Sequence, residues 1–424
     1  MNSLSERSTN GARPDRRGRR GGPRRRRASV PPRVTVAPQG FEPVPHDPSP
    51  VAFEDLQLDD TLFRGISERG FVRTTPIQSA AIPLVLAGGD LIGCAQTGTG
   101  KTAAFLVPIV QRLLTTAHAP DRSRSTRVLI LEPTRELAVQ IEEDFQGLAY
   151  HTGLTAAAVY GGVDAGAQER ALRAPVDIIV ATPGRLIDHM GTCSPRFEGL
   201  EVLVLDEADR MLDMGFWPSV RRIVATLPPE RQTLFFSATM SEDVFRSAVD
   251  IMRAPQMIQI GPAGGPAVTV THRAHQVPSA EKTTWLAGFL KRTPEPTLIF
   301  TRTKRGADRV ARRLAATGIR CAALHADRTQ RERIAAVEGF RAGRYSTLVA
   351  TDIAARGLDI EGIGHVINYE VPDSADAYVH RVGRTGRAEA TGVALTLVAP
   401  EEAGAFRALE RALNITVGSP QARR

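Results

Sequence analysis

The chain has little of the material that cross-links a protein or anchors it in a membrane. Its three cysteines, Cys94, Cys193 and Cys321, lie far apart and lack paired spacing, so neither a disulfide framework nor a zinc site is predicted. No apolar run approaches the roughly 18 residues of a membrane-spanning helix. A secretory signal requires an apolar segment after its basic residues, and the N-terminus of this chain has none. We therefore expect reduced cysteines, no membrane anchor and a cytoplasmic location.

Acidic residues are scarce at the N-terminus, where the positive charge is concentrated. Residues 1–33 contain eleven arginines against Glu6 and Asp15, so this segment carries a net charge of +9. Since the whole chain carries +8, the remaining residues together carry −1. Residues 1–50 are rich in Arg, Gly and Pro and hold few large apolar residues. Such a segment cannot bury enough surface to offset its chain entropy. We predict a disordered basic tail.

Beyond the tail, short apolar runs alternate with helical patterns, as in parallel sheets that are buried on both faces. The first series of runs occupies residues 91–92, 128–131, 178–180, 202–205 and 234–236. Residues 261–266 are rich in glycine and proline and are typical of a linker. The second series occupies residues 298–300, 321–324, 347–350, 366–368 and 393–398. This pattern predicts two α/β domains, at 53–260 and 267–415, with ligands at the carboxyl ends of the strands.

A glycine-rich loop follows the first run and precedes a helical pattern, which is where a phosphate-binding loop belongs. It comprises Ala95, Gln96, Thr97, Gly98, Thr99, Gly100, Lys101 and Thr102. Its glycines allow backbone N–H groups to surround phosphates, Lys101 supplies a positive charge, and the Thr102 hydroxyl can hold magnesium. Alanine replaces the first glycine of the usual form.

An acidic motif ends the run at 202–205 and would face the same crevice. Asp206 is placed to reach magnesium, and Glu207 to orient and polarise the attacking water. Because phosphoryl transfer depends mainly on positioning and charge neutralisation, the two motifs predict a site that binds ATP and Mg²⁺ and hydrolyses ATP. A solvated acidic turn is the alternative, and the phosphate-binding loop upstream argues against it.

Together with that loop, the motif Asp206-Glu207-Ala208-Asp209 resembles the DEAD-box RNA helicases of bacteria, and within them the RhlE-like group. The resemblance runs from Phe53 to about residue 392. It implies two tandem RecA-like parallel-sheet domains and an ATP-dependent enzyme that unwinds short RNA duplexes or remodels RNA and ribonucleoprotein. It also implies that Phe53 and Gln78 recognise adenine, through a stacking face and through an amide that both donates and accepts.

The resemblance assigns further residues to RNA, to the nucleotide and to the coupling between them. Those expected to contact RNA are Pro133, Thr134, Arg135, Gly161, Gly162, Thr182, Pro183, Gly184, Arg185, Thr303, Gln330, Arg333, Thr351 and Asp352. Gly357 and Asp359 are expected at the nucleotide, and Arg384 and Arg387 as arginine fingers that complete the ATP site. Asp209, Ser237, Thr239, His380 and Arg381 are expected to couple ATP state to strand separation. Arg384 and Arg387 would point to one site if their segment is helical.

Three positions depart from the family pattern: Thr74 replaces proline, Ala326 replaces the glycine of His-Gly-Asp, and Glu389 replaces glycine. None removes a catalytic group, although they weaken the case for RNA contacts in the second domain. An RNA clamp that binds without unwinding, a DNA-directed motor and a degenerate copy remain alternatives. The motifs do not separate a clamp from a helicase.

The basic tail resembles RGG-type RNA-binding segments, since residues 13–27 include Arg20-Gly21-Gly22. Arginines there can neutralise phosphates without sequence preference, and a role in solubility alone is the competing interpretation. We expect RNA as the partner of both the tail and the core. Ribosomal precursors or RNA-degradation complexes are possible larger partners, and we expect a monomer.

Overall fold

The computed structural model describes residues 43–45, 47–116, 125–173, 176–192, 195–261, 270–355, 362–386, 391–413, 415 and 417. The expected tail at 1–50 lies almost wholly outside these residues, as do Cys193, Gly357, Asp359 and Arg387. Most of the expected linker is also outside them. The domain boundaries drawn from the sequence therefore stay predictions.

The first sheet has seven parallel strands in the order β3-β4-β2-β5-β6-β1-β7. The strands are β1 (Leu91–Cys94), β2 (Val128–Leu131), β3 (Ala156–Val159), β4 (Ile178–Ala181), β5 (Val202–Leu205), β6 (Gln232–Ser237) and β7 (Gln256–Gln259). Helices cover both faces: α1 (Asp60–Glu68), α2 (Pro76–Leu86), α3 (Lys101–Thr115), α4 (Arg135–Leu148), α5 (Ala165–Arg173), α6 (Pro183–Met190), α7 (Ala208–Asp213), α8 (Trp217–Val224) and α9 (Glu242–Ile251).

The second sheet has six parallel strands in the order β10-β11-β9-β12-β13-β8. The strands are β8 (Val270–Gln276), β9 (Thr297–Phe300), β10 (Cys321–Leu324), β11 (Thr347–Ala350), β12 (His365–Asn368) and β13 (Gly392–Val398). The helices are α10 (Lys282–Arg292), α11 (Lys304–Ala315), α12 (Gln330–Arg341), α13 (Asp352–Ala355), α14 (Ala375–Val382) and α15 (Ala403–Leu413). The predicted fold class, two parallel-sheet α/β domains, is confirmed.

The central strands of the first sheet are fully buried, which explains their unbroken apolar sequences. β1, β2, β4, β5 and β6 are buried along their whole lengths between two apolar clusters. Because these parallel strands are in register, their carboxyl ends form one edge, and the polar residues that follow them meet there.

The cysteines that the structure describes are free: Cys94 is buried and Cys321 is half-buried. Burial raises the pKa of the Cys94 thiol to about 11, which keeps it protonated near neutral pH. Across the described ranges, no helix combines the length and the apolar character that crossing a membrane would need.

Candidate functional site

The phosphate-binding loop joins β1 to α3 and takes its shape from two glycines with positive φ. Gly98 has φ 80° and Gly100 has φ 89°, a region that side-chain-bearing residues rarely adopt. The Lys101 ammonium donates to the Ala95 carbonyl at 2.7 Å, and Thr99 Oγ1 donates to the Gln96 carbonyl at 2.7 Å. The loop thus closes on itself and has a buried cation at its centre.

Gln78 supports this loop from α2. Its Nε2 donates to the Gly100 carbonyl at 3.1 Å, while its Oε1 accepts from Thr75 N at 2.9 Å. Phe53, which we expected to offer adenine a stacking face, is only 1% exposed and lies stacked against Phe71, with ring centroids 6.1 Å apart. In this arrangement the Phe53 ring belongs to the core, and its contact with adenine stays a prediction.

The acidic motif lies at the end of β5, separated from the end of β1 by β6 alone. Asp206 is buried, and burial, partly offset by Lys101 and reinforced by Glu207, raises its pKa to about 6. Glu207 has φ 48°, a strained value for a residue with a side chain, and its carboxylate pairs with the buried Arg210 guanidinium. The carboxylate that was expected to orient the attacking water is therefore held by a partner one helical turn away.

Glu132 is a third buried carboxyl group at this site that the sequence analysis did not single out. It follows Leu131, which pairs with Leu205 in the neighbouring strand, so Glu132 stands beside Asp206. It is fully buried, and neither of its side-chain oxygens has a hydrogen-bond partner among the described residues. Burial first, and then the charges of Asp206 and Glu207, raises its pKa well above the usual range. A polar residue that ends a buried strand was the available signal, the same one that identified Asp206.

Asp209 connects three segments that we expected to couple the nucleotide site to RNA. Its Oδ2 accepts from Ala238 N at 3.2 Å and from both N and Oγ1 of Thr239 at 2.9 Å. The His380 imidazole, which belongs to the second domain, lies 3.4 Å from the same oxygen. Burial alone would raise the pKa of Asp209, but His380, Arg210 and Lys101 hold it well below the usual range. Ser237 Oγ donates to the Thr239 carbonyl at 2.7 Å and fixes this turn.

The arginine segment of the second domain reaches the phosphate-binding loop. Thr97 Oγ1 lies 3.4 Å from the Gly383 carbonyl, and a Cβ on Gly383 would approach that hydroxyl to 2.7 Å. Helix α14 ends at Val382, so Arg384 lies in the turn that follows and is buried. The helical geometry that would have aligned Arg384 with Arg387 is absent at Arg384, and Arg387 lies outside the described residues.

Arg381 and Asp352, expected at the coupling path and at RNA respectively, pair with each other inside the second domain. Arg381 donates to the two Asp352 carboxylate oxygens at 2.6 and 2.7 Å and to Asn368 Oδ1 at 3.0 Å. Its guanidinium lies 5.2 Å from the centroid of the Phe300 ring. Asp352 thus orients Arg381, and its contact with RNA stays a prediction.

A cleft of about 470 Å³ between the two domains brings together most of the residues expected at RNA. Those that line it are Pro133, Thr134, Arg135, Gly161, Gly162, Thr182, Gly184, Arg185 and Arg333. Glu136, which belongs to the same motif as Pro133, Thr134 and Arg135, also lines it. Asp188, Met214, Phe216, Ala326 and Ala354 line it as well and were not predicted to contact RNA. Across the cleft, Arg333 pairs with Glu136 at 2.9 Å, and both side chains are less than one-fifth exposed.

Four expected RNA residues whose side chains the structure describes do not line this cleft: Pro183, Thr303, Thr351 and Asp352. Pro183 is buried at the first position of α6, and Thr351 is buried at the end of β11. Thr303 is exposed and caps α11, since its Oγ1 accepts from Gly306 N at 3.0 Å. Asp352 is paired with Arg381. Gln330 begins α12, and its side chain lies outside the described part.

Comparison with known proteins identifies the class. Residues 75–247 match the DEAD/DEAH box helicase family and residues 281–389 match the helicase conserved C-terminal domain. The ATP-dependent RNA helicase CshA of Listeria monocytogenes is 42% identical over 84% of this chain and 68% of its own length. The DEAD-box ATP-dependent RNA helicase CshA of Bacillus subtilis is 40% identical over 85% of this chain and 72% of its own length. The chain belongs to the DEAD-box helicase family.

Two solved structures show the same architecture. S. cerevisiae Dbp5 bound to RNA and ADP BeF3 has a TM-score of 0.78 and 29% identity, covering 87% of this chain and 95% of Dbp5. Mss116p bound to ssRNA and AMP-PNP has a TM-score of 0.81 and 27% identity, covering 89% of this chain and 81% of that one. Within its family the chain is an ATP-dependent RNA helicase, and hence an enzyme. The relatives compared carry the name CshA, so an RhlE-like subgroup stays a prediction.

Proposed function

We propose that the chain binds ATP with Mg²⁺ on its first domain, grips single-stranded RNA in the interdomain cleft, and hydrolyses ATP when the two domains close. The contact between Thr97 and Gly383 is the observation that best supports this proposal. It joins the phosphate-binding loop to the turn that carries Arg384, so an arginine of the second domain can reach phosphates bound to the first. Hydrolysis would then depend on closure.

The residues of the first domain fit ATP and magnesium. Within the described ranges, no group of three or more His, Cys, Asp or Glu side chains is arranged to hold a metal ion by itself. Magnesium commonly binds through one or two protein oxygens and the substrate phosphates, and Thr102 with Asp206 meets that need. The cation would neutralise charge that develops on the phosphates. Lys101 would bind the β/γ oxygens, and Glu207 would orient water after leaving Arg210.

The RNA side of the proposal rests on the cleft and its chemistry. Arg135, Arg185 and Arg333 offer guanidinium groups, while Gly161 and Gly162 let the backbone approach closely. These are groups that hold phosphates without reading sequence. Because RNA would touch both domains at once, it would favour closure and activate an ATP site that it does not contact. A cytoplasmic, monomeric protein and a role on ribosomal precursors or in RNA-degradation complexes remain parts of this proposal.

The basic tail is proposed to add affinity for RNA. Deleting residues 1–50 should weaken RNA binding and flatten its salt dependence while basal ATP hydrolysis stays unchanged, because neutralised phosphates release counterions. An unchanged dependence on salt would contradict the role of the tail and leave a role in solubility.

The central test is ATP turnover with and without defined RNAs, in three variants. Lys101→Ala and Glu207→Gln should both lose turnover, but Glu207→Gln should retain ATP and RNA binding. Lys291→Ala is a matched control, since Lys291 is exposed at the end of α10. Equal stimulation by DNA of the same sequence would contradict the assignment to RNA. Hydrolysis without release of a paired strand would favour the RNA clamp.

A further inference from the structure

One face of α11 carries a row of arginines that the ATP site and the cleft do not use. Arg305, Arg309 and Arg313 are four residues apart, which places them on the same side of the helix. All three are exposed. None of them has a hydrogen bond or an ion pair with another residue that the structure describes. We call these three residues the arginine stripe.

The stripe is not neutralised by its own helix. The opposite side of α11 is apolar, with Ala307, Val310 and Leu314 buried in the core of the second domain. Asp308 is the only acidic residue of the helix, and its carboxylate already accepts from His325 at 3.0 Å and from Arg328 at 2.7 Å. The exposed surface therefore presents a strong and uncompensated positive charge.

The stripe begins at the edge of the second sheet where RNA is expected. α11 starts directly after Thr303, at the carboxyl end of β9, and this is the sheet edge at which RNA is expected. Arg305 lies in the first turn of α11 and Arg313 in the last. At 1.5 Å per residue, successive arginines of the stripe rise by about 6 Å and the whole stripe by about 12 Å. A polyanion that passes the carboxyl end of β9 and continues along α11 would meet the three guanidinium groups in turn.

We propose that the arginine stripe is a second RNA-binding surface, which holds the sugar-phosphate backbone of a strand that extends beyond the cleft. This proposal rests on the proposed function, because it assumes RNA in the cleft. Guanidinium groups bind phosphate oxygens in bidentate fashion and do not read bases. The stripe would lengthen the bound segment without adding sequence preference. The start of its helix directly after Thr303, at the sheet edge where RNA is expected, favours RNA over an acidic protein partner.

A double variant of the full chain, Arg309→Gln with Arg313→Gln, tests the stripe. The matched control is Arg407→Gln with Arg411→Gln, which removes two exposed arginines at the same spacing from α15 of the same domain. Binding of a short single-stranded RNA that fills only the cleft is compared with binding of a longer one, over a range of salt. ATP turnover is measured at saturating RNA.

The stripe variant should bind the longer RNA more weakly and the short RNA normally, with unchanged turnover. If each arginine contacts one phosphate, the slope of log affinity against log salt should fall by about 1.4 relative to the wild type. A fourfold rise in salt would then cost the wild type about sevenfold more affinity than the variant. The control should match the wild type.

Equal behaviour of the stripe variant and the control with the longer RNA would overturn the proposal. Equal weakening of short and long RNA would also overturn it, because the stripe would then act through the cleft or through net charge. If no RNA stimulates ATP turnover of the wild type, the proposed function itself fails. That outcome is distinct from a stripe that has no effect in a protein that RNA activates.

Discussion

Replacing Asp209 by asparagine should separate RNA-stimulated hydrolysis from basal hydrolysis. The Asp209 carboxylate accepts hydrogen bonds from Ala238 and Thr239 in the first domain and faces His380 of the second. An asparagine keeps one acceptor oxygen but loses the charge, and its amide N–H groups must face other donors. The closed form of the protein should therefore lose the charge-assisted part of the contact between residue 209 and His380.

The expected size follows from the geometry at Oδ2. His380 Nε2 lies 3.4 Å from Oδ2 and makes no hydrogen bond with a described residue in this structure, and a hydrogen bond to a charged group, which tighter closure would form there, contributes about 1.5–3 kcal/mol to stability. If about 2 kcal/mol of that stabilises the closed form through His380, RNA-stimulated turnover falls ~30-fold, because each 1.36 kcal/mol is a factor of ten. Basal turnover and ATP affinity should change much less. The bonds to residues 238 and 239 should appear instead as a lower melting temperature of the first domain.

The assay is steady-state ATP hydrolysis with and without RNA, together with thermal unfolding. Asp213→Asn is the control, since Asp213 is an exposed carboxylate on the same helix, α7. Adding His380→Gln to Asp209→Asn should cost little more, because residues that act through one contact are not additive. Equal loss of basal and stimulated turnover would refute the coupling role and leave Asp209 as a residue of the fold.

Three further predictions follow from the same site. Because the pKa of Asp206 is raised to about 6, the extra thermal stabilisation that Mg²⁺ adds in the presence of ATP should weaken below about pH 6, where the carboxyl group is protonated. A pH-independent shift in melting temperature would contradict this. Gly383→Ala should reduce RNA-stimulated turnover, since its Cβ would lie 2.7 Å from Thr97 Oγ1, whereas Gly404→Ala, with nothing within 4 Å, should not. Burial raises the pKa of the Glu132 carboxyl group in the folded protein. The stability linked to its protonation is therefore fully present below the unfolded pKa and is lost as pH rises through the folded pKa, where a buried charge forms. Glu132→Gln should raise the melting temperature of the ligand-free protein at alkaline but not at acid pH. Equal melting shifts at both pH values would refute the last of these.

The apolar runs in the sequence predicted the strands that consist mainly of large apolar residues. The strands with small or polar residues were missed. Residues 128–131 and 202–205 form β2 and β5 with the predicted bounds. β3 consists of three alanines and a valine, β7 contains two glutamines, and β8 carries two histidines and an arginine. Each of these three strands lies at an edge of its sheet, where one side is less enclosed and the demand for large apolar side chains is weaker.

The site was predicted unevenly for a similar reason. Loop motifs specify backbone geometry and survive as sequence patterns, so the phosphate-binding loop and the acidic motif were found. Contacts between distant segments leave no local pattern. Neither the pairing of Glu136 with Arg333 nor the closeness of Gly383 to Thr97 could be foreseen, because each depends on how the two domains meet. Phe53 was expected to face adenine, and only the structure shows it packed against Phe71.

The amide of Gln78 is already engaged with the phosphate-binding loop. It donates to the Gly100 carbonyl and accepts from Thr75, and a Cβ at position 100 would come within 2.4 Å of its nitrogen. An adenine edge could engage the remaining N–H and the remaining lone pair of this amide, and binding there would reorient a side chain that also holds the loop. The identity of the base would then be transmitted to the loop as a change in backbone geometry. A nucleotide with the wrong base could occupy the phosphate site and still leave the loop in its resting shape, so selection for ATP would appear in turnover more than in affinity.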